Sequence, residues 1–172
     1  MKTLNPMRKI RLEKVTLSCG ATGQDLEKSQ KLLEMLTNRK AQINHSGPRT
    51  RIPNFNVKPN MPLGTSVTLR KKEATEVLRK LLGAIDNKLS KKQISRNGFS
   101  FGIHEYIEIP GVEYKREIGI RGLNVTATFV RAGVRVKRKK IKAGRIPERQ
   151  YVTPAEIIDY MKEHFKTGVS AR

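Results

Sequence analysis

Thirty-six Lys and Arg stand against fifteen Asp and Glu in a chain of 172 residues, which leaves a formal net charge of +21. No compact fold can pair such an excess internally, so the folded state repels itself unless something anionic lies against it. The implied partner is a polyanion, and phosphate is the commonest, because each cation brought near it releases condensed counterions. The excess is uneven. Residues 131 to 149 carry nine basic side chains against Glu148 alone, a net +8, whereas residues 150 to 172 carry three of each sign and balance. With 37% hydrophobic residues the chain can still bury a core, which argues against wholesale disorder.

Cys19 stands alone, so neither a disulfide framework nor a cysteine-based zinc site is expected. Nowhere do eighteen apolar residues follow one another, and Met1 to Ile10 lacks the apolar run of a signal peptide. The expectation is a soluble, intracellular protein with no membrane partner.

Hydrophobic periodicity supplies the elements. Residues 8 to 19 read as a strand whose apolar phase changes near Glu13 and Lys14, as at a bulge. A helix is predicted from a Thr22/Asp25 capping box to about Asn38, and a short strand from Lys40 to Asn44. Pro48, Pro53, Pro59 and Pro62 exclude regular structure from residues 45 to 62, a long loop carrying Arg49, Arg51, Phe55 and Lys58. A strand over 64 to 70 precedes the clearest helix, where Ala74, Val77, Leu78, Leu81, Leu82 and Ile85 share one face.

Residues 86 to 98 read as a basic loop. Alternation then predicts a strand from Phe99 to Ile109, another over 116 to 130 with a bulge at Gly122, and a third at Val134 and Val136. Thr153, Pro154 and Glu156 open a final helix, with Gly168 as its stop. Cleanly alternating strands have one covered face, so the expected fold class is α+β: two layers, a mostly antiparallel sheet with helices packed on one face. The expected division is a core α+β domain over 1 to 136 and, over 137 to 172, a basic extension and C-terminal helix packed on the same domain.

Catalytic constellations are not found. His45, His104 and His164 are scattered without metal-ligand spacing, and Cys19 reads as a small buried thiol. The Gly20 to Gly23 turn matches neither phosphate-binding glycine pattern, and Glu105 and Glu108 fall on opposite faces of a strand. No catalytic, cofactor or metal site is therefore expected. Basic residues instead sit on polar strand positions (Arg8, Arg11, Lys14, Arg70, Arg121), in loops (Lys91, Lys92 and Arg96 among them) and in the 131 to 149 run. With five Phe, four Tyr and no Trp, recognition through phosphate, sugar and shape of folded RNA fits better than base stacking along a single strand.

Four ordered blocks carry a resemblance. NPMRKIRLEKVTLSCG from Asn5, LTNRK from Leu36 with LGTSVTLR from Leu63, NGFSFGIHEYIEIPGVEY from Asn97, and EIGIRGLNVT from Glu117 are similar, in order and spacing, to the large-subunit ribosomal protein L-five family. The basic run and extra helix after Lys137 look like the archaeal and eukaryotic branch, and the short N-terminus favours the archaeal type. The chain departs from the family's Gly-x-Gly turn with Gly20-Ala-Thr-Gly23.

The resemblance implies a cytoplasmic, ribosomal location and a non-catalytic role: binding 5S rRNA and attaching it to the central protuberance, with contacts to 23S rRNA and neighbouring ribosomal proteins. By position it assigns RNA contacts to Arg8, Arg11, Lys14, Arg39, Lys40, His45, Arg49 and Thr50. Arg51, Arg70, Arg138, Lys139 and Lys140 join that set. Arg51, Asn54, Phe55, Lys58 and Asn60 would form the loop facing P-site tRNA. Lys91, Lys92, Arg96 and Pro110 would face small-subunit protein S-thirteen. The alternatives are a non-ribosomal RNA- or DNA-binding module and an RNA-modifying enzyme.

Overall fold

A computed structural model describes residues 5–170. In chain order the elements are β1 (Arg11–Gly20), α1 (Gln24–Thr37), β2 (Gln42–His45), β3 (Pro62–Arg70), α2 (Lys71–Gly83), β4 (Lys88–Ser90), β5 (Ile94–Ser95), β6 (Gly98–Ile103), β7 (Leu123–Val130), α3 (Arg135–Arg138), α4 (Pro154–Phe165) and β8 (Gly168–Ser170). Six strands make a mostly antiparallel sheet in the order β2-β3-β1-β7-β6-β5, and β4 pairs in parallel with β8. The fold class is α+β, as the alternation implies.

Contacts divide the chain into two units. One takes residues 5–15, 70–101 and 126–170, and the other takes 16–69 and 102–125. In the first, Ala74, Leu78, Leu81 and Leu82 of α2 are buried, as are Ile157, Met161 and Phe165 of α4. Phe99 packs 6.1 Å from Phe101 and 5.9 Å from Phe129, and Tyr160 meets Phe129 edge-on at 5.3 Å. Burying each such side chain contributes about 1.5–3 kcal/mol. In the second unit Leu17 and Cys19 of β1, Leu26, Leu32 and Leu33 of α1, Val67 and Leu69 of β3, and Leu123 and Val125 of β7 are buried.

Several local expectations are corrected. In β1 the inward phase runs unbroken through Glu13, Val15, Leu17 and Cys19, so the supposed bulge is a buried acid: the Glu13 side chain is 8% exposed. Thr22 caps nothing; Gly23, at φ 63°, is the N-cap of α1. The strand predicted to Ile109 ends at Ile103, and Tyr106–Glu108 forms a 3-10 turn that buries Tyr106 and exposes Ile107. The Tyr106 hydroxyl accepts from the Lys115 N–H at 2.9 Å and so pins the loop that follows.

Residues 116 to 122 are likewise outside the sheet. Gly122 is required by close approach: a Cβ there would lie 2.7 Å from the carbonyl oxygens of Ile103 and His104. Val134 and Val136 belong to the one-turn α3 and its N-cap, not to a strand. Residues 86 to 98 hold β4, a 3-10 turn and the β5–β6 hairpin, whose Asn97 adopts φ 67°. The Thr153/Glu156 capping box of α4 is formed, whereas the helix ends at a left-handed Lys166, with Gly168 opening β8.

Candidate nucleic-acid interface

In the second unit, β2 is the end strand of the sheet and all four of its residues are exposed. It pairs with β3 through Gln42↔Ser66 and Ile43↔Thr65, and the Asn44 amide hydrogen-bonds the Ser66 hydroxyl at 3.1 Å. The turn into β2 is fixed from α1. Asn38 takes the left-handed conformation that stops the helix, and Glu34 accepts from the Gln30 amide at 3.0 Å and the Ala41 N–H at 3.1 Å. Those bonds hold the Glu34 carboxyl below its ordinary value. The same clasp sets Arg39 and Lys40 on a cleft of about 410 Å³ shared with Gln42, Ser66 and Thr68.

His45, Arg49, Thr50 and Arg51 continue this surface and are all exposed. The loop they enter is closed at its neck by Ser46, a buried residue that periodicity does not single out. Ser46 N–H donates to Met61 carbonyl oxygen at 2.8 Å, its hydroxyl donates to Lys58 carbonyl oxygen at 2.6 Å, and Met61 N–H donates back to that hydroxyl at 2.9 Å. Further out, Ile52 and Val57 exchange two backbone bonds of 3.1 Å around a Pro53–Phe55 turn. The Pro-rich segment is thus a closed loop with Asn54 and Phe55 at its tip, Phe55 being 79% exposed. Lys58 and Asn60 are exposed on its return limb. Among the described residues Arg49, Arg51 and Lys58 form no salt bridge.

Basic residues of the first unit are held differently. Glu13 pairs with Arg138 and, at 3.7 Å, with Arg70. The bonded Arg138 guanidinium, helped by Lys14 and Arg70, holds the Glu13 carboxyl below its ordinary 4.5 against the opposing effect of burial. Two assigned RNA contacts therefore share one internal acid. Arg131 is buried, paired with Glu156, and donates to the Arg149 carbonyl oxygen at 2.8 Å. Burial raises the Glu156 carboxyl, but bonds from Thr153 and the charge of Arg131 bring it below its ordinary value.

Arg8 lies beside Lys9 on a cleft that also holds Glu156, Asp159 and Glu163. Arg11, Lys139 and Lys140 are exposed and Lys14 half-buried. Lys91 and Lys92 occupy an exposed 3-10 turn, and Arg96 stacks 4.1 Å above Tyr151 while pairing with Glu148 at 3.6 Å. Pro110, assigned with them, belongs to the second unit and is exposed.

Arg121, read as a polar strand position, instead precedes β7 and pairs with Asp25. Internal acids thus do neutralise part of the excess, at Arg70, Arg121, Arg131 and Arg138. Burial pushes the Cys19 thiol up to about 11, partly offset by Arg121, and its Sγ lies 3.5 Å from the Gly122 carbonyl oxygen, as suits a packing residue. Among the described residues no group of three or more His, Cys, Asp or Glu could hold a metal ion, and no helix is long and apolar enough to cross a membrane.

Comparison with known proteins identifies the family. A family model for the C-terminus of the ribosomal L-five family matches residues 62–148. The chain is 40% identical to the large ribosomal subunit protein uL5 of Nanoarchaeum equitans, over 92% of its length and 95% of that protein's. It is 41% identical to the uL5 protein of Sulfurisphaera tokodaii, over 98% and 96%, and 39% identical to that of Sulfolobus acidocaldarius, over 98% and 95%. Those relatives are named as large ribosomal subunit proteins, and the family is one of ribosomal structural proteins, not enzymes. The family-model match and the near full-length likeness to archaeal relatives lead to one assignment: the chain belongs to the ribosomal L-five family, in its archaeal form.

Proposed function

We propose that the protein is a structural constituent of the large ribosomal subunit that binds 5S rRNA and attaches it to the central protuberance. The observation that carries this reading is the exposed β2 edge with Lys40, His45, Arg49 and Arg51 beside it, on a chain whose relatives are large-subunit proteins. An A-form helix offers a shallow minor groove with 2′-hydroxyls and phosphates, which an edge strand rimmed by cations can follow without reading bases.

The assigned set in the first unit, Arg8, Arg11, Lys14, Arg70, Arg138, Lys139 and Lys140, would extend the contact to 5S or 23S rRNA. The loop tip at Asn54 and Phe55 would approach P-site tRNA. Residues 91 to 96 and the turn at Pro110 would approach S-thirteen of the small-subunit head. Sedimentation with ribosomal subunits tests the assignment: the protein should travel with the large subunit in low salt, and protein left at the top of the gradient contradicts it. Competition separates this reading from a general nucleic-acid binder, since 5S rRNA should displace duplex DNA at physiological salt and not the reverse.

A further inference from the structure

A cleft of about 320 Å³ opens in the first unit between the end of β7 and α3, walled by Val134, Ile146 and Tyr151. That is the small end of the range for ligand pockets, about 300–1,000 Å³, so it suits one base and excludes a duplex. Lys137 and Arg138, both exposed, stand on its rim. Two buried polar groups line it: the Glu13 carboxylate, which is ion-paired with Arg138 and Arg70, and the Nε of Arg131, which has no hydrogen-bond partner. The Glu13 side chain is 8% exposed and that of Arg131 is 7% exposed.

Such groups are costly to leave unpaired. An ionised carboxylate offers about four acceptor positions, of which the guanidinium pairs occupy part. Among the bases, guanine alone presents two adjacent donors, N1–H and the N2 amine, to a carboxylate. Adenine and cytosine place a ring-nitrogen acceptor there, and uracil sets a single N–H between two carbonyls. Guanine also brings O6 and N7 as acceptors for an Arg N–H. Asn97 keeps the floor rigid: its side-chain oxygen accepts from Val152 N–H at 2.7 Å and its carbonyl from Phe129 N–H at 2.7 Å.

We infer that this cleft receives an unpaired guanine of a bound RNA, read by the Glu13 carboxylate, with Lys137 on its phosphate. The inference rests on the RNA-binding reading above and adds a base-specific contact to a protein otherwise recognising backbone and shape.

Titration of the full chain with GMP, AMP, CMP and UMP, followed by amide resonances, tests it. GMP should shift Asn97 and Tyr151 and bind about tenfold tighter than AMP. Val134→Trp, which fills the cleft at unchanged charge, should abolish those shifts while its circular dichroism stays that of the parent. Equal shifts from all four nucleotides confined to Lys137 and Arg138, as inorganic phosphate would give, overturn the proposal.

The source is distinguished with a hairpin carrying one unpaired G. It should compete with GMP, and its G-to-A version should not. A hairpin that fails to compete overturns RNA as the source. Absence of 5S rRNA binding by the parent alongside intact GMP selectivity would instead overturn the 5S rRNA assignment and leave the guanine site standing.

Discussion

The 131–149 stretch and the loop over 45–62 are both basic, and they differ in how part of that charge is held: two of the nine cations in the first, Arg131 and Arg138, face internal acids, and none of Arg49, Arg51 and Lys58 in the second does. The first has the higher charge density, yet Arg131 is buried against Glu156, Arg138 is clamped by Glu13, and the Arg149 carbonyl is bound by Arg131. The second has fewer charges, but Arg49, Arg51 and Lys58 are exposed and form no salt bridge among the described residues. Charge density and charge availability are separate properties. An arginine already facing a carboxylate releases fewer counterions on meeting phosphate than one facing water.

The sharpest way to break this contrast is Arg131→Ala. It leaves Glu156 half-buried without its guanidinium and frees the Arg149 carbonyl, and should cost about 2 kcal/mol of stability in urea unfolding. The slope of RNA affinity against salt should stay that of the parent in the folded fraction, since a buried arginine is no phosphate contact.

Glu13→Gln comes next, at about 1–2 kcal/mol, because Arg138 and Arg70 lose their shared carboxylate. Its pH dependence is diagnostic. A carboxyl held below its ordinary 4.5 contributes stability that is present above that value and lost as pH falls through the lowered one. Glu13→Gln should therefore flatten the acid limb of the stability curve below about pH 5. An acid limb as steep as the parent's would remove Glu13 from the account.

Ser46→Ala should cost about 1 kcal/mol, read as faster hydrogen exchange at Met61 and easier proteolysis within 48–60. The smallest effect belongs to Phe55→Ala, within about 0.5 kcal/mol of the parent, because a 79% exposed ring packs little.

The helices and the strand cores were legible in the sequence wherever periodicity met burial, as in α2, α4 and the Phe99, Phe101, Ile103 face of β6. Legibility failed where apolar alternation continued past the sheet. Ile107 and Ile120 keep the period yet are exposed, because Tyr106 and Gly122 turn the chain through close contacts that spacing does not encode. The exposed cations of the β2 edge could be named from the sequence, since Arg and Lys beside proline and glycine lie at the surface. Which arginines were neutralised could not, because Glu13 with Arg138 and Asp25 with Arg121 are separated in sequence by more than ninety positions and meet through folding. A buried acid in an inward strand phase was the available signal. An interruption of Val and Leu by Glu marks a fixed ion pair as readily as a bulge.

Binding of 5S rRNA as a function of salt tests the central claim most directly, comparing the parent with Arg49→Ala/Arg51→Ala and with Arg70→Ala/Arg138→Ala. Removing two available phosphate contacts should lower the slope of log affinity against log salt by about 1.4–1.8. The pair tied to Glu13 should lower it by less than half as much. An unchanged slope for the loop variant, or equal slopes for the two double variants, would contradict the account.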